Sequence, residues 1–239
     1  MYKNYIFDLY GTLVDIHTDE STDFLWTNLA LFFNFKGAGY TATTLEKMYI
    51  KKITAAKNKI TNTKYPDFPI ENIFEELYTD KNVIVSKDTI KDTAQFFRTL
   101  SIKYVKLYPK TIELLKELKS KGKNVYLLSN AQRIFTFYEM MMLDITKYFD
   151  DIFISSDYNV CKPDKQFFNV LINKLHVNTE ESVMIGNDYI CDIEGACSVN
   201  MDSIYIDSNL SPYIDGELKS TYSIMSGNLY DGMKKLNLL

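Results

Sequence analysis

After Pro109 the chain alternates short apolar runs with amphipathic helical patterns, and this alternation restricts the folds open to it. The stretch from Thr111 to Lys121 repeats apolar residues at helical spacing and stops at Gly122, as the end of a helix does. Five short apolar runs of strand type follow, at 125–128, 152–154, 183–185, 204–206 and 222–224. Strands that alternate with helices predict a parallel sheet with helices on both faces. We therefore expect an α/β protein with a doubly wound, Rossmann-like sheet.

The first residues supply one more strand, and this strand carries an unusual charge. Tyr5 to Leu9 is an apolar and aromatic run that Gly11 terminates, a pattern typical of a buried strand ending in a turn. Asp8 lies near its end, although an ionised carboxylate does not belong in the interior of a buried strand. Sheets of this type bind ligands at the carboxyl ends of their strands, so Asp8 is a candidate functional residue.

Between about Asp15 and Lys106 the pattern is helical and rich in lysine. One predicted helix, with Ser21 or Thr22 as its N-cap, has an apolar face formed by Leu25, Leu29, Phe32 and Phe33. No alternating strand pattern is apparent in this region, and the cluster of Phe32, Phe33 and Phe35 is expected in its core. The sequence thus predicts a core of residues 1–16 and 106–239, interrupted by an α-helical cap domain of residues 17–105.

Composition excludes several classes of protein. The chain has 27 basic and 31 acidic residues and a net charge of −4, which does not favour binding to a nucleic acid backbone. Its apolar stretches are too short to span a membrane, and its three cysteines show no CxxC spacing. We expect a cytoplasmic protein with neither nucleic acid nor membrane as partner. Arg98 and Arg133 are the only arginines, so a catalytic cation is expected to be a lysine.

Polar side chains follow four of the predicted strands. They are Asp8, the pair Ser129-Asn130, Lys162 before Pro163, and the pair Asn187-Asp188 with Asp192. A carboxylate can act as a nucleophile, a lysine can neutralise charge on a transferred group, and a hydroxyl can orient its oxygens. Magnesium prefers oxygen ligands and can bridge carboxylates to a phosphate. The set is therefore suited to chemistry on a small anionic substrate.

These residues form four motifs that resemble those of the haloacid dehalogenase (HAD) superfamily with a helical cap between its first and second motifs. The motifs are Asp8-Leu-Tyr10-Gly-Thr12-Leu-Val-Asp15, Val125-Tyr-Leu-Leu-Ser129-Asn130, Lys162-Pro163-Asp164, and Ile185-Gly-Asn187-Asp188 with Asp192.

The resemblance implies a role for each matching position. Asp8 would be the nucleophile, and Lys162 would stabilise the charge of a transferred phosphoryl group. Tyr10 and Ser129 complete the candidate catalytic set. Thr12, Ser129 and Asn130 would bind that group together with Lys162. Magnesium would be held by Asp8, the main chain of Tyr10 and Asp188, with Asn187 as an alternative ligand, while Asp192 would be a supporting acid.

Two departures from the family pattern keep alternatives open. Tyr10 stands where phosphatases of the superfamily carry an aspartate as general acid, and an ordinary phenol is too weak an acid to replace it. A tyrosine there resembles the 2-haloacid dehalogenases, whose halide leaves without a proton. Those enzymes, however, carry a tyrosine where this chain has Phe168, and they replace the acid that is retained here as Asp188.

The leading hypothesis is a magnesium-dependent phosphatase of a small phosphorylated metabolite, acting through an aspartyl-phosphate on Asp8. The alternatives are a metal-free 2-haloacid dehalogenase and a catalytically weak binding or regulatory protein. Five lysines of the helical region are candidates for selecting an anionic substrate, although most are expected on a solvated face. They are Lys36, Lys47, Lys51, Lys52 and Lys57.

Overall fold

In the computed structural model, which describes residues 2–239, six strands form one parallel sheet. In chain order the strands of the protein are β1 (Asn4–Phe7), β2 (Val14–Thr18), β3 (Ile102–Leu107), β4 (Asn124–Ser129), β5 (Asp151–Ile154), β6 (Ser182–Gly186), β7 (Asp202–Ile206) and β8 (Tyr222–Ile224). The order within the large sheet is β5-β4-β1-β6-β7-β8, so the first strand lies near its centre. The predicted doubly wound α/β fold is confirmed, and all six predicted strands are present.

Side chains that alternate along each strand build two hydrophobic layers, one on each face of the sheet. Tyr5 and Phe7 of β1 pack in the layer covered by α5 (Thr111–Ser120) and α9 (Leu229–Lys235). Ile6 packs in the opposite layer, against Phe167 and Phe168 of α7 (Lys165–Leu175). Because both faces are covered, the central strands are apolar throughout, which explains why they read as continuous apolar runs.

Four helices lie between β2 and β3: α1 (Asp23–Phe35), α2 (Ala42–Lys59), α3 (Glu71–Thr79) and α4 (Lys87–Ser101). We call them the four-helix segment. Thr22 caps α1 as predicted, its hydroxyl accepting a hydrogen bond from the amide of Leu25. The segment has a hydrophobic cluster that includes Trp26, Phe33 and Phe97, and Phe135, which follows β4, joins it. The predicted phenylalanine cluster is only partly correct, because Phe33 is buried whereas Phe35 is 81% exposed.

A small antiparallel ribbon formed by β2 and β3 was not predicted, and it joins the two ends of the four-helix segment. Both predicted domain boundaries, at 16/17 and 105/106, fall inside these strands. The expectation that no strand lies between Asp15 and Lys106 is therefore wrong at both ends. The ribbon was not predicted because its strands lack a clear alternation of apolar and polar residues. In β3, which contains two lysines, exposed and half-buried residues do not alternate strictly.

The four-helix segment also contacts the large sheet's loops through residues 63–70. The main-chain amide of Cys161 donates a 2.8 Å hydrogen bond to the carbonyl of Tyr65, next to a bridge between Pro66 and Val160. The buried carboxylate of Asp67 accepts a 2.6 Å hydrogen bond from the hydroxyl of Ser155. The segment is thereby fixed to the loop that follows β5.

The helices α6 (Arg133–Met142) and α8 (Gly195–Cys197) complete the structure. Within residues 2–239, no helix is both long enough and apolar enough to cross a lipid bilayer.

The four-helix segment depends on Phe97, whose buried ring packs against those of Trp26, Tyr49 and Phe74. We expect Phe97→Ala to lower the free energy of unfolding by about 3–5 kcal/mol, since it leaves a cavity among aromatic rings. Phe35→Ala is the matched control and should change it by less than about 0.5 kcal/mol. Equal effects in a denaturant titration would contradict this description of the core.

Candidate active site

A cavity of about 250 Å³ opens at the carboxyl ends of the central strands. It brings together most of the predicted site residues. Its lining comprises Asp8, Tyr10, Ser129, Asn130, Lys162, Asn187, Asp188, Cys191, Asp192, Leu210 and Pro212. Thr12 is the one predicted site residue that is not part of this lining.

The centre of the site is the ammonium group of Lys162, which is fully buried. Its Nζ lies 2.8 Å from Oδ1 of Asp8 and 2.6 Å from Oδ1 of Asp192. Burial alone would lower the pKa of Lys162, but the two carboxylates outweigh it and raise that pKa, so the lysine stays charged. Burial raises the pKa of Asp192 above its usual range, although the charge of Lys162 acts in the opposite direction.

Asp8 is held from two sides by groups that follow different strands. It comes directly after β1, and Oδ1 accepts hydrogen bonds from Lys162 and from the hydroxyl of Ser129, the latter 3.1 Å long. Ser129 is the last residue of β4, which neighbours β1. The described residues donate no hydrogen bond to the second oxygen, Oδ2, which leaves it available for a ligand in the cavity.

The side chain of Asn130 positions the lysine loop. Its amide oxygen accepts a 2.8 Å hydrogen bond from the main-chain amide of Lys162, and its amide nitrogen donates a 2.9 Å bond to the carbonyl of the same residue. The Asn130 side chain is therefore engaged with Lys162, and binding of a phosphoryl group by Asn130, which lines the cavity, stays a prediction. Both of its polar groups are already used to hold Lys162.

Asp188 and Asp192 are fixed by the tight turn after β6. Oδ1 of Asp188 accepts 2.9 Å hydrogen bonds from the main-chain amides of Ile190 and Cys191, so it caps the helical turn that follows. Asp192 returns across this turn, and its Oδ2 accepts a 3.0 Å bond from the amide of Asp188. A Cβ atom at Gly186 would lie 2.1 Å from that oxygen, which explains the glycine there.

Thr12 supports the site from outside the cavity. It is buried, and its hydroxyl donates a 3.3 Å hydrogen bond to the amide oxygen of Asn187. The Asn187 side chain lies over Gly11, which has a φ of +85° and no room for a Cβ. The Thr12 hydroxyl is thus directed at Asn187, and binding of a phosphoryl group by Thr12 stays a prediction.

The hydroxyl of Tyr10 points toward α6, and its hydrogen-bond partners lie outside the cavity. It donates a hydrogen bond to Glu139 and lies 3.0 Å from the hydroxyl of Thr136, and neither partner lines the cavity. Burial and the charge of Glu139 raise the pKa of Tyr10 well above its ordinary value. The Tyr10 hydroxyl is thus bound outside the cavity, and a catalytic role for Tyr10 stays a prediction.

Glu139 and Arg98 were not anticipated from the sequence. Nε of Arg98, on α4, donates a 2.6 Å hydrogen bond to Oε1 of Glu139, on α6, and both side chains are largely buried. The pair links the four-helix segment to the core and to Tyr10. The two partners are 41 residues apart, so no local pattern relates them. The only feature of the sequence that drew attention to Arg98 was the scarcity of arginine.

The lining offers oxygen donors suited to magnesium. The carboxylates of Asp8 and Asp188 share the cavity with the amide of Asn187. Among residues 2–239, no three or more histidine, cysteine or acidic side chains are grouped as a metal site. Magnesium commonly binds one or two carboxylates and completes its shell with water and substrate phosphate, so this donor set fits it.

The fold and the site define an α/β protein with a carboxylate and a lysine at the centre of its strand ends. A family model described as haloacid dehalogenase-like hydrolase matches residues 2–199. The chain belongs to this family, as the four motifs indicated.

Similar proteins are known by sequence and by structure. Over 104 residues the chain is 32% identical to the glyceraldehyde 3-phosphate phosphatase of Methanothermobacter thermautotrophicus, which covers 44% of this chain and 46% of that protein. The chain spans about half the length of the curated relatives it matches.

Two solved structures share the fold over nearly the whole chain. The HAD phosphatase from Thermococcus onnurineus superposes with a TM-score of 0.61 at 20% identity, covering 98% of this chain and 97% of that one. A dehalogenase superposes with a TM-score of 0.59 at 18% identity, covering 100% and 97%. Both types of enzyme are thus built on this architecture.

The buried pair of Arg98 and Glu139 should contribute far more to stability than an exposed one. We expect Glu139→Gln to lower the free energy of unfolding by about 2–4 kcal/mol, because it leaves the guanidinium charge buried without its counter-ion. Asp157→Asn breaks the exposed pair with Arg133 and is the control, with a loss below about 1 kcal/mol. If denaturant titrations showed the same loss in free energy of unfolding for both variants, the Arg98–Glu139 pair would not contribute more to stability than the exposed pair.

Proposed function

We propose that the protein is a phosphatase that hydrolyses a small phosphate monoester through an aspartyl-phosphate on Asp8. The observation that carries this proposal is the Asp8 carboxylate, which lines the cavity while Lys162 and Ser129 hold one of its oxygens. The cavity of about 250 Å³ is at the small end of ligand sites, which supports a small substrate.

In the first step the Asp8 carboxylate attacks phosphorus, a bond forms between its oxygen and phosphorus, and the ester P–O bond breaks. The alcohol leaves with the electron pair of that bond and takes up a proton. In the second step a water oxygen attacks phosphorus, the aspartyl–phosphorus bond breaks, and inorganic phosphate and the Asp8 carboxylate are released. Lys162 and the Ser129 hydroxyl orient the nucleophile and stabilise charge on the phosphoryl oxygens.

Magnesium is the proposed cofactor. Asp8 and Asp188 would hold it with the main-chain oxygen of Tyr10 and the amide of Asn187. When bound, it would screen the negative charges of nucleophile and phosphoryl group. Asp188 is already oriented by two main-chain amides, so its carboxylate does not need to be ordered by the ligand.

We further propose that residues 17–105 act as the cap over the cavity. The hydrophobic cluster of the four-helix segment supports its treatment as a unit. Its residues 63–70 reach the loop of Lys162, and Arg98 reaches the core through Glu139. The names of several curated relatives, among them a ribulose-1,5-bisphosphate 5-phosphatase and a phosphoserine phosphatase, support phosphate ester hydrolysis.

A 2-haloacid dehalogenase is the second candidate, and Tyr10 is the observation that favours it. A phenol bound to Glu139 cannot protonate a leaving group, and halide needs no proton. Asp188 weighs against this candidate, because a carboxylate in the cavity repels a carboxylate substrate unless a cation is bound. The third candidate, a binding protein with little activity, predicts ligand binding without turnover.

The test is a turnover assay with phosphate esters and 2-haloacids, each with magnesium and with chelator. We expect magnesium-dependent release of phosphate, which Asp8→Asn should abolish, because an amide is not a competent nucleophile. Asp215→Asn changes an exposed carboxyl outside the cavity and should leave the rate unchanged. Halide release without metal would replace the phosphatase by a dehalogenase, and binding without turnover would leave the third candidate.

Tyr10 provides a second prediction. Tyr10→Phe should leave the ratio of alkyl to aryl phosphate hydrolysis unchanged, since the phenol supplies no proton. Tyr10→Asp should raise alkyl phosphate hydrolysis by about tenfold or more, because a positioned acid typically contributes on the order of 10²–10⁴. In the background of Asp188→Ala this gain should disappear. A selective loss of alkyl ester hydrolysis in Tyr10→Phe would make Tyr10 the proton donor and overturn the prediction.

A further inference from the structure

We infer that the site selects phosphate monoesters whose alcohol part carries no second negative charge, and discriminates against those with a carboxylate or a second phosphate there. This inference rests on the proposed function and names the class of substrate within it. It follows from the charged residues that line the cavity and from the positions of the arginines and lysines that lie outside the lining.

The cavity is acidic even with its lysine included. Asp8, Asp188 and Asp192 stand against Lys162, a formal balance of −2. The ammonium of Lys162 is already shared by two carboxylates at 2.8 and 2.6 Å, so its positive charge is largely neutralised before any ligand enters. A divalent cation would bring this formal balance to zero, so that the lining has no surplus positive charge for a second anion beyond the phosphoryl group.

The rest of the lining is neutral. Besides Asp8, Asp188, Asp192 and Lys162, the lining consists of side chains without a formal charge, among them Tyr10, Cys191, Leu210 and Pro212. An ordinary phenol and an ordinary thiol are uncharged near neutral pH, so neither side chain adds a charge to the lining. Among the described residues, the lining therefore contains no second cation for a charged alcohol part.

Neither arginine lines the cavity, and each is committed to an ion pair elsewhere. Arg98 is paired with Glu139, and Arg133 with Asp157. The five lysines considered as selectors of an anionic substrate do not line the cavity, and Lys52 forms ion pairs with Glu76 and Asp80. The hypothesis that one of these lysines selects a substrate anion is thus not supported by their positions.

A second anion on the substrate would consequently enter a cavity without a counter-ion and close to three carboxylates. Like charges a few ångströms apart in a partly buried site repel by enough to change binding at least tenfold. Hydroxyl groups on the alcohol part carry no charge and therefore incur no such repulsion.

The experiment compares esters that differ in one group only, with magnesium in fixed excess. One pair is 2-hydroxyethyl phosphate and 2-phosphoglycolate, and the second is glycerol 3-phosphate and 3-phosphoglycerate. We expect kcat/KM to favour the neutral member of each pair by about tenfold or more. The same order is expected for binding to Asp8→Asn by titration calorimetry, which does not depend on turnover.

The decisive variants add a positive charge to the lining of the cavity. Leu210→Lys and Pro212→Lys place an ammonium in the lining and should reduce the preference for the neutral ester at least about threefold. Tyr213→Lys is the control, because Tyr213 is 89% exposed, lies next to these residues and does not line the cavity. The quantity compared between variants is kcat/KM for the neutral ester divided by kcat/KM for the anionic ester. The intrinsic difference in reactivity between the two esters is the same in every variant and therefore cancels.

Two failures can be told apart. If the wild type hydrolyses both members of a pair equally, or prefers the anionic one, the inference is overturned and the phosphatase stands. If no phosphate ester is hydrolysed, the proposed function fails and the inference falls with it. A shift of the preference by Tyr213→Lys as large as that by Leu210→Lys would also overturn it, because the charge would then act from outside the cavity.

Discussion

The buried ammonium of Lys162 is the constraint on which the rest of the site depends. An ion removed from water must find counter-charges at hydrogen-bond distance, and here Asp8 and Asp192 provide them. The three residues follow three different strands, so the pairing can form only if those strand ends meet. The order β4-β1-β6 achieves this by placing Asp8 in the centre, with Ser129 on one side and the turn of Asp192 on the other.

The loop of Lys162 is braced from two sides as well. Asn130 binds its main chain from the core, whereas Tyr65 and the buried Asp67 bind the neighbouring residues from the four-helix segment. The position of the lysine is therefore sensitive to the packing of the segment. Under the proposed function, this is a physical route by which the cap and the charge-stabilising group act together, without any residue of the cap touching the phosphoryl group.

The sequence predicted those features that depend on local pattern. Apolar periodicity located the six strands of the large sheet, and the rule that ligands bind at strand ends selected Asp8, Ser129, Lys162 and Asp188. The β2–β3 ribbon was missed because its side chains are half-exposed and carry no clean alternation. The sequence also failed to predict the directions in which side chains of the site point.

Tyr10 illustrates that failure. It lies in the first motif, but the partner that turns its hydroxyl away from the cavity, Glu139, is 129 residues further along the chain. The same holds for Thr12, which reaches Asn187 across 175 residues. Periodicity and spacing carry no information about such pairings, because they arise only when the sheet has brought the strand ends together.

The absence of a proton donor at Tyr10 affects the two halves of the proposed reaction differently. In the first half an acid protonates the departing alcohol, and a leaving group that is stable as an anion can dispense with it. In the second half the same group would act as a base toward water, and no property of the leaving group can compensate there, because that group has already departed. A site with this lining should therefore be limited by hydrolysis of the aspartyl-phosphate whenever the first step is easy. The Tyr10 hydroxyl, bound to Glu139 and beside Thr136, thus links the first motif to α6, and Glu139 in turn pairs with Arg98 of the four-helix segment. Under the proposed function, the chemistry would depend on Asp8, Lys162 and a cation at Asp188.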